Sequence, residues 1–229
     1  MLSIKSVTGS YSTSVTTGTD GSATLSAIPA GVYVVREESV PEPYVLSHTE
    51  QTVALRPGKT SEVIFVDYEK PGLEILKKNI ATGEPIEGVT YLIEQIDGSF
   101  STSATTDGAG RTFLANIPVG SYKVTEKNVP SNVILSEIPQ EVYLEAGCTR
   151  TVTFFNAVKP SLTILKRNSV TGDPLSNAKF HIYYGSDNTT TGEINDLGMF
   201  TTASDGKITI TDVNRGWYKL VEELSLIHI

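Results

Sequence analysis

Three kinds of polar side chain recur along this chain at matching places. Lys77 and Lys166 close segments of alternating apolar residues, Glu37, Glu126 and Glu222 each end a Tyr-x-x-x-Glu segment, and Asn156 and Asp67 end Phe-rich segments. An amine, a carboxyl group and a carboxamide or second acid, held together away from water, can form a side-chain amide. The neutral amine attacks the carbonyl carbon while the carboxyl group moves the protons. Such chemistry consumes no external substrate, so it points to a covalently stapled stalk and away from an enzyme.

Strand alternation decides which of these groups face inward. In Leu73-Glu74-Ile75-Leu76-Lys77-Lys78, positions 73, 75 and 77 share a face, which turns Lys77 in and Lys78 out, although Leu76 blurs the pattern. Leu162, Ile164 and Lys166 repeat it. Tyr122, Val124 and Glu126 share a face, as do Tyr33, Val35 and Glu37; Val152, Phe154 and Asn156 match Val63, Phe65 and Asp67. Each polar group ends an apolar stripe, and charged groups are almost never buried unpaired, so these residues are expected to meet.

The positions are equivalent because the chain repeats. Gly120 minus Gly31 is 89, and the same offset lays Gly-Ser-Tyr-Ser-Thr-Ser at Gly9 on Gly-Ser-Phe-Ser-Thr-Ser at Gly98 and Pro71 on Pro160. A seven-residue insertion in the third copy moves the offset to 96, Glu222 minus Glu126. Repeats of this length are whole domains. Residues 1–70 read as a partial copy without its first, lysine-bearing strand, 71–159 as a complete copy, and 160–223 as a partial copy without its last strand. Met1 to Lys5 has no apolar signal-peptide core and reads as an internal methionine or an artefactual start; residues 224–229, Leu-Ser-Leu-Ile-His-Ile, match the translation of a sequencing adapter.

Composition narrows the function classes. Hydrophobic residues make up 39% of the chain, enough for packed cores, while the net charge of −8 and the lack of a Lys/Arg cluster exclude nucleic acid as a partner. No apolar run has membrane-spanning length. The single cysteine, Cys148, excludes an intrachain disulfide framework and reads as a surface thiol in a Gly-led turn. No metal-ligand spacing, phosphate-binding loop or cofactor motif occurs.

Thr, Val, Ile, Tyr and Phe fall in short runs between Asp-Gly, Ala-Gly and Pro-Gly turns, without a sustained helical period. The complete copy predicts strands at Leu73–Asn79, Tyr91–Ile96, Phe100–Thr105, Arg111–Leu114, Gly120–Lys127, Gln140–Leu144 and Thr151–Asn156. The fold class is therefore all-β, a tandem series of Ig-like or prealbumin-like β-sandwiches, one complete and two truncated. Asp97-Gly98 and Asp107-Gly108 suit tight hairpin turns. Linkers at Asp67–Gly72 and Asn156–Ser161 are short and hold a φ-locked proline, which predicts a semi-rigid succession of domains.

These residues resemble the Cna B-type, or SpaA-like, domains of Gram-positive surface adhesins and pilins. The likeness lies in Leu-x-Ile-x-Lys77 followed by Thr82-Gly83-Glu84-Pro85-Ile86-Glu87-Gly88, in Ile117-Pro118-x-Gly120-x-Tyr122-x-x-x-Glu126 leading to Pro130, and in Phe154-Phe155-Asn156. It implies a prealbumin-like sandwich and an autocatalytic isopeptide bond between Lys77 and Asn156, assisted by Glu126. Glu37 and Glu222 would be the equivalent glutamates, with Asp67 and Lys166 lacking their partners within this chain. It also implies a cell-wall-anchored surface protein whose repeats contact one another, with host matrix protein or glycan bound through a further tip domain.

The expected chemistry agrees with elementary electrostatics. Burial beside Phe154 favours a neutral Lys77 amine and a protonated glutamate, which is where a proton relay needs its proton. Three other readings stand beside it. The triad could be an uncrosslinked hydrogen-bonded network, or Lys77 could reach solvent at the sheet edge. The insertion from Tyr183-Tyr184-Gly185-Ser186-Asp187-Asn188 through Glu193, Asn195 and Asp196 offers aromatics and oxygen ligands for an adhesin ligand or calcium, without regular calcium-loop spacing. A hydrolase has only His48 and His181 to work with, lacks a nucleophile motif, and His181 is expected to face solvent.

Overall fold

Residues 1–185 and 194–223 are described by a computed structural model, and every regular element among them is a strand. The first copy contributes β1 (Leu2–Ser6), β2 (Ser12–Val15), β3 (Gly31–Glu37), β4 (Tyr44–Val45), β5 (Glu50–Leu55) and β6 (Tyr68–Glu69). Four of them form one sheet in the order β2-β1-β3-β5, and β4 pairs with β6. The Phe-rich segment ending at Asp67 is not a strand here, contrary to the sequence pattern. In the middle copy the matching segment pairs with the lysine strand; here no strand among the described residues pairs with it, while Val63 and Phe65 still pack on the Ile4, Tyr33 and Val35 cluster.

The middle copy is a two-sheet sandwich. Its strands are β7 (Gly72–Asn79), β8 (Thr90–Gln95), β9 (Ser101–Thr105), β10 (Arg111–Leu114), β11 (Gly120–Asn128), β12 (Gln140–Leu144) and β13 (Thr149–Asn156). One sheet runs β10-β7-β13, the other β12-β11-β8-β9. The inward stripes of both sheets meet as Leu73, Ile75, Tyr91, Ile93, Tyr122, Val124, Val152 and Phe154. Alternation held because each sheet has one wet face: Lys77 is fully buried and Lys78 exposed. β7 and β13, first and last in the copy, lie side by side and parallel, with Phe154 opposite Lys77.

The third copy contributes β14 (Leu162–Leu165), β15 (Lys179–Gly185), β16 (Ile194–Thr201), β17 (Lys207–Ile210) and β18 (Trp217–Glu223), in sheets β14-β17 and β16-β15-β18.

One turn differs from its expected form. Gly98 has φ +78° and joins the paired strands β8 and β9, but β9 and β10 belong to different sheets, so Asp107-Gly108 makes a corner and not a hairpin. The positive φ there, +66°, falls on Gly110. Asp107 Oδ1 instead accepts from the Ala109 and Arg111 amides at 3.0 and 2.9 Å, the local bonding that suits Asp to turns.

Both linkers are bonded to the copies they join. Glu69 pairs with Tyr44 of the first copy while its carbonyl accepts from Gly147 N of the middle copy at 2.7 Å. In the second linker Val158 bridges Val133, and Pro160 O accepts from Val213 N of the third copy at 3.0 Å.

Candidate functional site

Lys77, Glu126 and Asn156 come together inside the middle sandwich, brought there by three strands from both sheets. β7 supplies the lysine and the parallel β13 the asparagine, while β11 reaches across from the opposite sheet with Glu126 at an irregularity in its pairing with β8. All three are buried, with exposures of 0%, 2% and 3%. Lys77 Nζ donates to Glu126 Oε1, and Asn156 Nδ2 donates to Glu126 Oε2 at 2.7 Å. The glutamate thus sits between the amine and the carboxamide.

Apolar packing sets the electrostatics. Lys77 Nζ lies 5.8 Å from the Phe154 ring centroid, and Tyr91 packs on the same ring at 4.8 Å. Burial pushes the Lys77 ammonium below the usual lysine range, with Glu126 pulling the other way. A buried amine that loses its proton becomes a nucleophile.

Three further groups touch or hold this triad and escaped the sequence reading. The Tyr91 hydroxyl lies 3.5 Å from Glu126 Oε1, and the Ser136 amide donates to Oε2 at 3.2 Å. Gly110 anchors the lysine backbone: Lys77 N donates to Gly110 O at 2.7 Å, and a Cβ built on Gly110 would lie 2.5 Å from Lys77 O. A signal existed for two of them. Leu135-Ser136 repeats Leu46-Ser47 at offset 89, and Gly110 repeats as Gly206 at offset 96, where the same close approach is made to Lys166 O. Tyr91 has no such signal, because the other copies carry Leu2 and Phe180 at its place.

The flanking copies hold incomplete versions. In the first, Glu37 is buried, and Glu37 Oε2 and Asp67 Oδ1 are buried without a hydrogen-bond partner. Burial, followed by the neighbouring Asp67, pushes the Glu37 carboxyl above the ordinary glutamate range. In the third, Lys166 Nζ donates to Glu222 Oε2 at 2.7 Å, with the two side chains 31% and 38% exposed.

Other candidates separate from this chemistry. Residues 186–193 of the insertion and the segment 224–229 lie outside the described residues. Of the insertion's flanks, Tyr184 packs on Tyr218 and Asp196 accepts at 2.7 Å from Gly198 N. His181 is not simply solvent-facing as expected. Its Nε2 is 2.7 Å from Asp196 Oδ1 and its ring stacks on Tyr183 at 4.7 Å, which leaves it 28% exposed. His48 and Cys148 are exposed. Among the described residues no group of three or more His, Cys, Asp or Glu could hold a metal, and no helix is long and apolar enough to cross a membrane.

Comparison with known proteins follows the repeat. A family profile described as a prealbumin-like fold domain, SpaA, matches residues 2–69, 71–158 and 160–226. No match was found among curated protein sequences. Among solved structures, the Bacillus anthracis TIE protein aligns at 22% identity over 98% of this chain, with a TM-score of 0.45. The chain spans 42% of that protein's length. A streptococcal ancillary pilin aligns at 18% identity over 86% of this chain and 67% of its own, with a TM-score of 0.39. The shaft pilin SpaA from Lactobacillus rhamnosus GG aligns at 18% identity over 69% of this chain and 89% of its own, with a TM-score of 0.43. With three matches that together take in nearly every residue, the chain belongs to the SpaA family of prealbumin-like fold domains.

Proposed function

We propose that this chain is part of a load-bearing stalk of a Gram-positive cell-surface adhesin or pilin-like protein, with repeats at 1–70, 71–159 and 160–223. In the middle repeat Lys77 and Asn156 become joined by an isopeptide bond with Glu126 as proton relay. The observation that carries this reading is the buried chain of hydrogen bonds Lys77–Glu126–Asn156, with no water-facing member. Moving the shared proton from Nζ to the carboxylate removes both charges from a dry site, which favours the neutral pair.

The neutral Nζ then attacks the Asn156 side-chain carbonyl carbon. A C–N bond forms from lysine to that carbon, and the bond from the carbon to Nδ2 breaks. Glu126 gives one proton to the departing nitrogen and takes one from Nζ, so ammonia leaves and the glutamate ends as it began. The reaction turns over once, and the protein is its own substrate.

The bond would close a loop of about 80 residues and, by analogy with disulfides, restrict the unfolded chain by roughly 4 to 5 kcal/mol. Because β7 and β13 are neighbours in one sheet, tension entering by one passes covalently to the other. In a cell-wall-anchored protein such repeats would contact one another and hold apart from the wall a domain that binds host matrix protein or glycan.

The test is the intact mass of the full chain beside Lys77→Ala and Glu126→Ala. The wild type is expected to lack one ammonia, located to a Lys77–Asn156 branched peptide, and both variants to have full mass. Full mass in folded wild type overturns the reading.

A further inference from the structure

Resting on the isopeptide reading, we propose that Tyr91 is a positioning residue for that reaction. Its hydroxyl holds Glu126 Oε1 as the oxygen that takes a proton from Lys77, and so leaves Oε2 as the oxygen that presents a proton to Asn156. A buried hydroxyl is costly unless it is used. Tyr91 is fully buried, and the third copy fills the same place with Phe180, so packing alone does not require the oxygen.

Each oxygen of the carboxyl group has two partners, and the two pairs differ in kind. Oε1 faces two donors, Lys77 Nζ and the Tyr91 hydroxyl; Oε2 faces the Ser136 amide and the Asn156 carboxamide. Lysine, tyrosine and a backbone amide are donors here, whereas a carboxamide offers either an N–H or an oxygen according to which way it is turned. As placed, Asn156 Oδ1 is buried without a partner. Turning the carboxamide end for end brings Oδ1 to Oε2, from which it accepts when Oε2 carries the acid proton, and puts Nδ2 at the unpartnered end. That arrangement polarises the carbonyl for attack, and Oε1 stays free to accept from Nζ. Burial, and then the charge of Glu126, push the Tyr91 hydroxyl far above its ordinary range, so it remains a donor throughout.

The balance follows. The Oε2 proton goes to Asn156 Oδ1 as Nζ attacks the carbonyl carbon, and Oε1 takes a proton from Nζ; as the C–Nδ2 bond breaks, that proton passes on to Nδ2 and the Oδ1 proton returns to Oε2, so ammonia leaves and the carboxyl group ends as it began. Tyr91 exchanges no proton; it selects which oxygen does what.

The experiment uses the full chain, recovered unfolded in urea before any bond has formed and diluted to start folding, with ammonia loss followed by intact mass. Tyr91→Phe is expected to slow the loss roughly tenfold, the worth of one hydrogen bond to the reacting group. A second readout uses the Asn156→Ala background, where no bond can form. There, the Glu126 carboxyl C=O stretch should rise in frequency on Tyr91→Phe, and fall with 3-fluorotyrosine at position 91, a stronger donor of nearly the same shape. Wild type that loses no ammonia sinks the isopeptide reading itself. Wild type that reacts, beside Tyr91→Phe reacting equally fast, overturns the role of Tyr91 alone. If Tyr91→Phe fails to fold, the fluorotyrosine chain decides, and an unshifted stretch in it overturns the proposal.

Discussion

The middle and third copies place the same lysine–glutamate pair in opposite surroundings. Lys77 and Glu126 are dry, while Lys166 and Glu222 are 31% and 38% exposed at an ordinary 2.7 Å. The motif is shared; the difference is the neighbour. β7 is flanked on both sides, by β10 and β13, whereas among the described residues β14 pairs only with β17. β13 brings Phe154 opposite the lysine and Asn156 beside it. On β18 even Leu220 is exposed, where its counterpart Val124 on β11 is fully buried. The last strand thus brings both the carboxamide and the dryness around Lys77, while the lysine–glutamate pair of the third copy is a partly exposed ion pair.

The largest effect expected from breaking this difference is mechanical. Pulled through its ends, wild-type middle copy should not lengthen, because the proposed cross-link would shield about 80 residues. Glu126→Ala should release about 270 Å of chain, from some 3.4 Å per extended residue. Single-molecule force spectroscopy reads this directly, and an equal extension in wild type would remove the load-bearing role.

Next in size is equilibrium stability. Glu126→Ala prevents the bond, worth roughly 4 to 5 kcal/mol, and also leaves Lys77 buried without its partner, which should cost about 3–5 kcal/mol more. Lys77→Met combined with Glu126→Leu removes both charges and keeps the volume, so it should lose little beyond the cross-link itself. Urea unfolding of the two variants separates an unpaired buried charge from the loss of the cross-link.

Most of this was legible from residue types. Periods of two placed Lys77, Glu126 and Asn156 inward, and the sandwich put the inward faces together, because a stripe ending in a charged group has few places to go. What could not be read was orientation in depth. That Glu126 contacts the other two through different oxygens depends on the two sheets' separation, and nothing in its residue type sets Tyr91 apart from the other core aromatics. The Val63–Asp67 segment failed for a related reason. Its pattern is strand-like, yet a strand needs a ladder partner, and no strand among the described residues pairs with it.

The first copy sharpens the comparison through pH. Its Glu37 has the dryness without the lysine, and its carboxyl is held above the model-peptide value of 4.5 by burial and by Asp67. A raised acid favours the folded state while protonated. The contribution is complete below 4.5 and is lost as pH rises through the folded value. Glu37→Gln should flatten this dependence and protect β3 at neutral pH, as measured by amide exchange of Val34 to Arg36 between acid and neutral conditions. Unchanged pH dependence in the variant would place the cause elsewhere.

The smallest effect should come from Lys166. Its bond to Glu222 has good length, but both side chains meet solvent, and a wet pair gains little beyond the entropy lost in ordering two long side chains. Lys166→Met should change stability by about 0–1 kcal/mol, and salt should erase the difference. The same substitution at Lys77 removes a buried partner of Glu126 and the proposed nucleophile together. Parallel urea titrations of Lys166→Met and Lys77→Met, each at low and high salt, therefore ask whether surroundings or motif govern the pair. Equal losses at both sites would mean that the last strand does not set the lysine's character.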